Sequence, residues 1–239
     1  MLKHITIEGV RNLAHIQVAL PAGATVLFGA NGSGKTSFLE AIHLLAVGRS
    51  FRTHQSKPVI QHGMAHCRVV GEVQRGRRAT VMGLEKHRDG GVKARVGGEN
   101  VPSLSELALH LPLVLLDTEG LGIVTGPPEG RRRLLDGTLF HVEQGFLSQW
   151  KRYALAVRQR NSGLRRGILS SDKAWRQEIA ETGTLLTQQR QAVAEKLADE
   201  LARLAPALSD DLVGMEVVFR AGWDQKLSLA EALERNADS

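Results

Sequence analysis

The segment VLFGANGSGKTSFLEAIHLLAVG, residues 26–48, constrains the fold more than any other part of the chain. Its centre matches the phosphate-loop pattern G-x-x-x-x-G-K-[ST] at every fixed position. An apolar run, ATVLF, precedes the loop and is typical of a buried strand. From about Thr36 to Gly48 the spacing predicts a helix whose buried face holds Phe38, Leu39, Ile42, Leu45 and Ala46. Strand, loop and helix in this order predict a nucleotide-binding site.

Each part of the loop has a defined role in such a site. The glycines let the backbone curl so that successive amide N–H groups face the β- and γ-phosphates. Lys35 places a cation on the same oxygens, Thr36 offers a hydroxyl to Mg²⁺, and the helix that begins there adds the positive end of its dipole. The candidate phosphate-binding residues are Gly29, Ala30, Asn31, Gly32, Ser33, Gly34, Lys35 and Thr36.

A second apolar run, LVLLD, ends in Asp117 and is followed by Glu119. Phosphoryl transfer needs an acid near Mg²⁺ and a group that orients the acceptor. The run therefore resembles a Walker B strand, and a small P-loop kinase that uses Asp117 and Glu119 is one interpretation. The other interpretation is a strand at the edge of a sheet that ends in a turn.

The pattern of apolar residues changes along the chain. Alternating runs near the N-terminus, followed by CRVVGEVQ, RATVMGLE and VKARVGG, predict strands and an antiparallel meander. LSELALHL predicts a short helix and PLVLLD a buried strand. Helical patterns cover roughly 131–142, 144–166 and 172–204, then MEVVFRA predicts a strand and LSLAEALERNADS a last helix. We expect an α/β lobe over 1–129, a helical lobe over 130–212 and a return to the sheet over 213–239.

The formal net charge is +6, and the basic excess lies in one segment. Residues 131–190 hold 12 Lys and Arg against 5 Asp and Glu, whereas the rest of the chain holds 19 against 20. Such a surplus is typical of a site for a polyanion. The alternative is a solvated helical surface rich in arginine. Aromatic residues make up only 4% of the chain, which disfavours a base-stacking surface for single strands.

Cys67 is the only cysteine, so no disulfide can form within the chain, and we expect the protein to lie in a reducing compartment. We expect the Cys67 side chain itself to be a small buried apolar group. No apolar run reaches the roughly 20 residues that span a bilayer, and the N-terminus lacks the apolar core of a signal peptide. The nine histidines show no spacing typical of metal ligands. We therefore expect a cytoplasmic protein that does not contact a membrane.

Several segments beyond the loop resemble the RecF family of bacterial recombination mediators, which are related to SMC and ABC-type ATPases. GRSFRT (48–53) follows the first helix as in that family, and VRN (10–12) resembles its Phe-Arg-Asn motif, with Val10 replacing the usual aromatic residue. TEGLGIVTGPPEGRRRLLD (118–136) and WKRYALAVRQRNSGLR (150–165) resemble later segments, the second being the long helix of the arm. The resemblance implies an α/β, P-loop ABC-type ATPase head: an N-terminal lobe with a mixed sheet and an inserted helical lobe, without the C-terminal part of the head.

The resemblance also implies ATP and Mg²⁺ as cofactors, with Arg11 and Asn12 beside the nucleotide. It implies a protein of DNA replication, recombinational repair and the SOS response that binds single-stranded or gapped duplex DNA. Family members dimerise with ATP and, with other recombination mediators, aid recombinase loading. The resemblance places LVLLD away from the family's Walker B acid and favours DNA as the polyanion. Charge then selects the candidate DNA contacts Arg131, Arg132, Arg133, Arg158, Arg160, Arg165 and Arg166.

The chain departs from the family in its later part. Family members carry a signature motif, Leu-Ser-x-Gly-Gln, and a Walker B strand that ends in an acid pair, and neither follows Gly214. In the family, ATP lies between the phosphate loop of one subunit and the signature motif of the other, so we expect a truncated protein. The weak, DNA-stimulated ATPase activity of the family is therefore left open, and an inert nucleotide-binding fragment is the alternative.

Overall fold

Alternation of apolar and polar residues builds an antiparallel sheet at the start of the chain. The computed structural model describes residues 1–53, 55–116, 120, 122–168 and 170–235. Its six-stranded sheet has the order β2-β1-β3-β4-β5-β6, and every pair is antiparallel. The strands are β1 Leu2–Val10, β2 Leu13–Ala19, β3 His66–Arg75, β4 Arg78–His87, β5 Val92–Val96 and β6 Glu99–Asn100.

One face of the sheet is buried under the helix that follows the phosphate loop, α1 Lys35–Val47. This helix contacts β1, β3 and β4. Gly71 of β3 marks the closest approach, because a Cβ atom there would lie 2.5 Å from Leu45 Cδ2. The buried core of this layer includes Ile5, Ile7, Leu44, Leu45, Val69, Met82 and Leu84.

The remaining helices lie after the sheet in the sequence. They are α2 Ser105–His110, α3 Gly122–Thr125, α4 Pro128–Val142, α5 Phe146–Arg165, α6 Asp172–Leu208 and α7 Leu229–Arg235, with a 3-10 helix at Asp210–Leu212. The chain divides into two compact units, Met1–Leu115 and Leu116–Ser239. The second unit has its own small core, in which Leu139, Phe146 and Leu186 are buried. The division into lobes at 129/130 and 212/213 stays a prediction.

The predicted meander and the three long helices are confirmed, but three predicted strands are wrong. Residues 24–28, 112–116 and 215–221 belong to no strand of the described part of the chain, and Asp117, the end of the second run, lies outside the described residues. A strand needs a hydrogen-bonded neighbour, and no described strand pairs with these runs. Several of their apolar side chains are consequently exposed, with Val26 78%, Phe28 92% and Val114 82% accessible.

The predicted buried face of α1 is also partly wrong. Leu39 is 47% exposed and Ile42 is only half-buried, whereas Glu40 is fully buried. The reason is that α1 turns a polar position toward a neighbouring arginine. Cys67 is buried and free, as predicted, and burial raises its pKa to about 11.

Candidate functional site

The phosphate loop curls through three glycines with positive φ: Gly29 (148°), Gly32 (81°) and Gly34 (103°). Gly34 directly precedes α1 and allows no other residue. A Cβ atom there would lie 2.5 Å from Leu13 Cδ2 and 3.3 Å from Asn12 Nδ2. Both its left-handed backbone and the lack of space therefore require glycine.

Asn12, in the turn between β1 and β2, ties this loop to the sheet. Its Nδ2 donates to the Gly32 carbonyl at 2.8 Å, and its Oδ1 accepts from the Ser37 hydroxyl at 2.8 Å. One side chain thus fixes both the loop and the first turn of α1. The structure therefore brings Asn12 together with the phosphate loop, and its predicted place beside a nucleotide stays a prediction.

Lys35 and Thr36 occupy the first turn of α1. Lys35 Nζ donates to the carbonyl oxygens of Gly29 and Ala30, both at 2.8 Å, so its cation lies over the start of the loop. Thr36 is exposed, and its hydroxyl makes no hydrogen bond to any described residue. The hydroxyl is therefore available as a hard oxygen ligand, which fits Mg²⁺.

Glu40 is the centre of a buried polar network behind the loop. Its carboxylate accepts from Arg11 Nε at 2.9 Å and Arg11 Nη2 at 2.8 Å, and also from the Ser50 hydroxyl. Arg52 Nη1 lies 3.5 Å from Glu40 Oε2. Burial alone would raise the pKa of Glu40, but the hydrogen bonds from Arg11 and Ser50 and the charges of both arginines outweigh it, so the pKa is lowered.

Arg11 is held on both its side chain and its backbone. Its φ of 55° is positive, which among the described residues is shared only with glycines. Its N–H donates to the Val59 carbonyl at 2.8 Å, and this bond, with the Glu40 pair, holds the unusual backbone. The structure thus places the Arg11 guanidinium on Glu40 rather than on the loop; its role beside a nucleotide stays a prediction.

Two clefts meet at this position. One, of about 390 Å³, is lined by loop and first-turn residues with Asn12 and Arg52. The other, of about 500 Å³, is lined by Arg11, Asn12, Ser37, Arg52, Lys57, Pro58, Ile60, His62 and Arg88. Asn12, Ser37 and Arg52 line both clefts, so Arg52 offers a partly exposed cation to either.

Sequence reasoning missed Ser37, Glu40, Ser50 and Arg52. One signal could have found Glu40, because it is four residues before the buried Leu44 and therefore shares its helix face. Ser50 and Arg52 fall in the GRSFRT segment, whose sequence alone indicates resemblance to the family but no contact with Glu40. A buried Lys86 fixes the start of that segment, since its Nζ donates to the Gly48 carbonyl at 3.1 Å.

The seven arginines predicted to contact DNA divide into two groups. Arg131 Nη1 donates to the carbonyls of Ile123, Val124 and Gly126, and Arg160 Nε pairs with Asp172 at 2.8 Å. These two are committed to structural contacts. The side chains of the others are exposed and form no hydrogen bond or ion pair with any described residue: Arg132, Arg133, Arg158, Arg165 and Arg166.

Asp117 and Glu119, the acids of the kinase interpretation, lie outside the described residues. In the part of the chain that is described, no three or more His, Cys, Asp or Glu side chains form a group that could hold a metal ion. Among those same residues, no helix combines the length and apolar character needed to cross a membrane.

Comparison with known proteins agrees with this geometry. The family model for the RecF/RecN/SMC N terminal domain matches residues 1–210. The chain is 39% identical over 235 residues to the DNA replication and repair protein RecF of Stutzerimonas stutzeri (strain A1501), which covers 97% of this chain and 63% of that protein. It is 38% identical to RecF of Azotobacter vinelandii (strain DJ), over 97% of this chain and 64% of that protein. The chain thus spans less than two thirds of the length of these relatives.

Solved structures show the same fold. A structure of the recombination mediator protein RecF-ATPrS in the RecFOR pathway has a TM-score of 0.78 and 25% identity, over 88% of this chain and 58% of that chain. A structure of RecF-ATP in the same pathway has a TM-score of 0.82 and 22% identity, over 100% of this chain and 66% of that chain. These matches confirm both the predicted fold class, as the N-terminal part of an ATPase head, and the predicted resemblance to RecF. The chain belongs to the RecF/RecN/SMC N-terminal domain family.

Proposed function

We propose that the chain binds ATP and Mg²⁺ through Gly29–Thr36, as the N-terminal part of a RecF-type DNA-binding protein. One observation carries this proposal. The loop, Lys35 and the free hydroxyl of Thr36 surround one cleft, and Asn12 holds the loop against the sheet. A cleft of about 390 Å³ falls within the size range of small-molecule sites, roughly 300–1,000 Å³.

The residues around the cleft have separate tasks. Backbone N–H groups of the loop and the N-terminus of α1 bind phosphate oxygens, and Lys35 neutralises part of their charge. Thr36 holds Mg²⁺, which when bound shields the β- and γ-phosphates. Asn12 positions the loop, and Arg11 and Arg52, both anchored to Glu40, supply positive charge at its border.

We further propose that this ATP site serves a DNA-binding protein of replication, recombinational repair and the SOS response. The names of the RecF relatives and the exposed arginines of the second unit support this proposal. Single-stranded or gapped duplex DNA is the proposed ligand. We also propose that the protein forms an ATP-dependent homodimer in the cytoplasm. This homodimer contacts other recombination mediators and aids recombinase loading.

Titration with a fluorescent ATP analogue tests the nucleotide site. We expect Lys35→Ala to lower the affinity for ATP at least about ten-fold, because it removes a charge-assisted contact to the phosphates. Lys93→Ala, which removes an exposed lysine from β5, is the matched control and should bind ATP as the native chain does. Equal affinity in the native and Lys35→Ala chains, or no saturable binding by the native chain, contradicts the proposal.

Thr36→Val separates the metal from the nucleotide. The variant loses the hydroxyl but keeps the loop and Lys35, so we expect it to bind ATP in EDTA as the native chain does. Added Mg²⁺ should then raise the affinity of the native chain and leave that of the variant unchanged. An equal gain in both chains would show that Thr36 does not hold the metal.

A further inference from the structure

Residues 131–190, which lie within the second unit, have few acidic side chains left to neutralise their arginines. Four of the five acids in residues 131–190 are already in ion pairs, namely Asp136 with Arg190, Asp172 with Arg160 and Arg176, and Glu178 and Glu181 with Arg152. Helix α5 itself contains no Asp or Glu. The basic residues of α5 that lie outside these pairs therefore keep their full charge.

The partnered and free basic residues of α5 lie on opposite sides of the helix. Ala156 is buried, and Arg152 and Arg160, one turn to either side of it, pair with residues of α6. Arg158 is two residues beyond Ala156, which places it about 200° around the helix axis. Arg158, which is exposed, therefore lies on the outer side of α5, opposite the side that pairs with α6.

Two more free cations share that outer side. Lys151 and Arg165 lie seven residues before and after Arg158, and seven residues is nearly two full turns. All three side chains are exposed and make no hydrogen bond or ion pair with another described residue. They form a straight row about 21 Å long, at 1.5 Å of rise per residue. That length corresponds to about six base pairs of duplex DNA, at 3.4 Å each.

We propose that the outer row of α5, defined as Lys151, Arg158 and Arg165, binds the phosphate backbone of duplex DNA. This inference rests on the proposed DNA-binding function and says which surface performs it. Leu155 and Ser162 lie between the three cations on the same side, so the row itself offers no aromatic ring for stacking and contacts phosphates rather than bases. Binding at the row is therefore independent of the base sequence of the DNA, and each phosphate contact releases counterions from the DNA.

The salt dependence of DNA binding tests the row directly. The probe is a fluorescein-labelled 30-base-pair duplex of mixed sequence, titrated with the 239-residue chain between about 50 and 200 mM salt. The variant is Lys151→Gln, Arg158→Gln and Arg165→Gln together. The matched control is Arg75→Gln, Arg77→Gln and Arg78→Gln, which removes three exposed, unpaired charges from the β3–β4 hairpin.

We expect the row variant to bind more weakly at every salt concentration. The slope of log K against log salt should become shallower by about 2.7, because each phosphate that the protein no longer neutralises removes about 0.9 from the slope. The hairpin control should keep the native slope. Tryptophan fluorescence of Trp150 and Trp175 checks that the row variant is folded. If the row variant does not fold, Arg158→Gln alone replaces it, and the slope should then become shallower by about 0.9.

The outcomes separate this inference from the proposed function. If the native chain binds the duplex and the row variant keeps the native slope, the row is wrong but DNA binding stands. If row and hairpin variants change the slope equally, the effect is one of net charge and the row is again wrong. If the native chain does not bind DNA, both the proposed function and the row are overturned.

Discussion

The two compact units hold their partnered arginines in different ways. In Met1–Leu115, Arg11 is fixed by the buried carboxylate of Glu40, and Arg88 donates to the backbone carbonyls of Gln61 and Met64. In Leu116–Ser239, some arginines join helices through ion pairs, while others, such as Arg158 and Arg165, have exposed side chains without a partner among the described residues. A partnered arginine thus stabilises the fold, whereas an exposed arginine without a partner is available to bind an anion, and its place on the surface decides whether it does.

The number of arginines in a segment therefore does not reveal their function. Each guanidinium binds carboxylate, carbonyl or phosphate with the same fork of N–H groups. If the folded chain supplies an acceptor, the arginine stabilises the fold; if it supplies none, the arginine is available to bind an external anion. Variants of partnered and free residues should consequently change different properties, and the variant that strands a buried charge should cost the most stability.

Glu40→Gln should have the largest effect, because it leaves Arg11 without its carboxylate inside the first unit. We expect a loss of about 3 kcal/mol in the free energy of unfolding. All three tryptophans lie in the second unit, so hydrogen exchange of the β1 and β3 amides is the suitable measurement. Glu72→Gln, on the exposed face of β3, is the control and should leave the exchange unchanged. Similar exchange in both variants would contradict the structural role of Glu40.

Arg190→Gln should have an intermediate effect on the second unit. Arg190 pairs with Asp136 through two hydrogen bonds, of 2.7 and 2.9 Å, and so joins α6 to α4. Both side chains are mostly buried, and we expect a loss of about 1–2 kcal/mol. Urea unfolding followed by tryptophan fluorescence measures it. Lys196→Gln, an exposed change on the same helix, should cost nothing measurable; an equal cost in the two variants would show that the pair contributes nothing.

Low pH should lower the stability of the first unit, because it protonates Glu40. The pKa of Glu40 is lowered from 4.5 in the folded chain, so its contribution to stability is fully present above about pH 4.5 and is lost as the pH falls through the folded pKa. The stability difference between the native chain and Glu40→Gln should therefore shrink below pH 4.5. Hydrogen exchange or circular dichroism at pH 7, 4.5 and 3 measures this difference, and a constant difference would contradict the assignment.

The sequence predicted the elements whose reasons are local. Alternating residues gave β1, β3 and β4, and helical spacing gave α4, α5 and α6, because each of these patterns is satisfied by neighbouring segments. The curl of the phosphate loop is local too, since its glycines and Lys35 lie within eight residues, and the binding of a nucleotide there stays a prediction. The runs at 24–28, 112–116 and 215–221 have strand-like composition too, but pairing is a property of the partner and cannot be deduced from the run itself.

The site was predicted less fully than the loop. Helical spacing could have placed Glu40 on the buried face, but its pairing with Arg11 could not be deduced, because Arg11 is 29 residues away and only the fold brings the two together. The arginine surplus was real, yet charge counting could not tell Arg160, paired with Asp172, from Arg158, which is free. That distinction depends on the side of α5 that packs against α6.

The decisive measurement is a crossed comparison: unfolding and duplex binding, both measured on Arg190→Gln and on the variant of Lys151, Arg158 and Arg165. We predict that Arg190→Gln loses stability and keeps the native salt slope, while the row variant keeps its stability and loses about 2.7 from the slope. If each variant loses stability and salt slope in the same proportion, partnered and free basic residues have the same function, and the distinction between them is wrong.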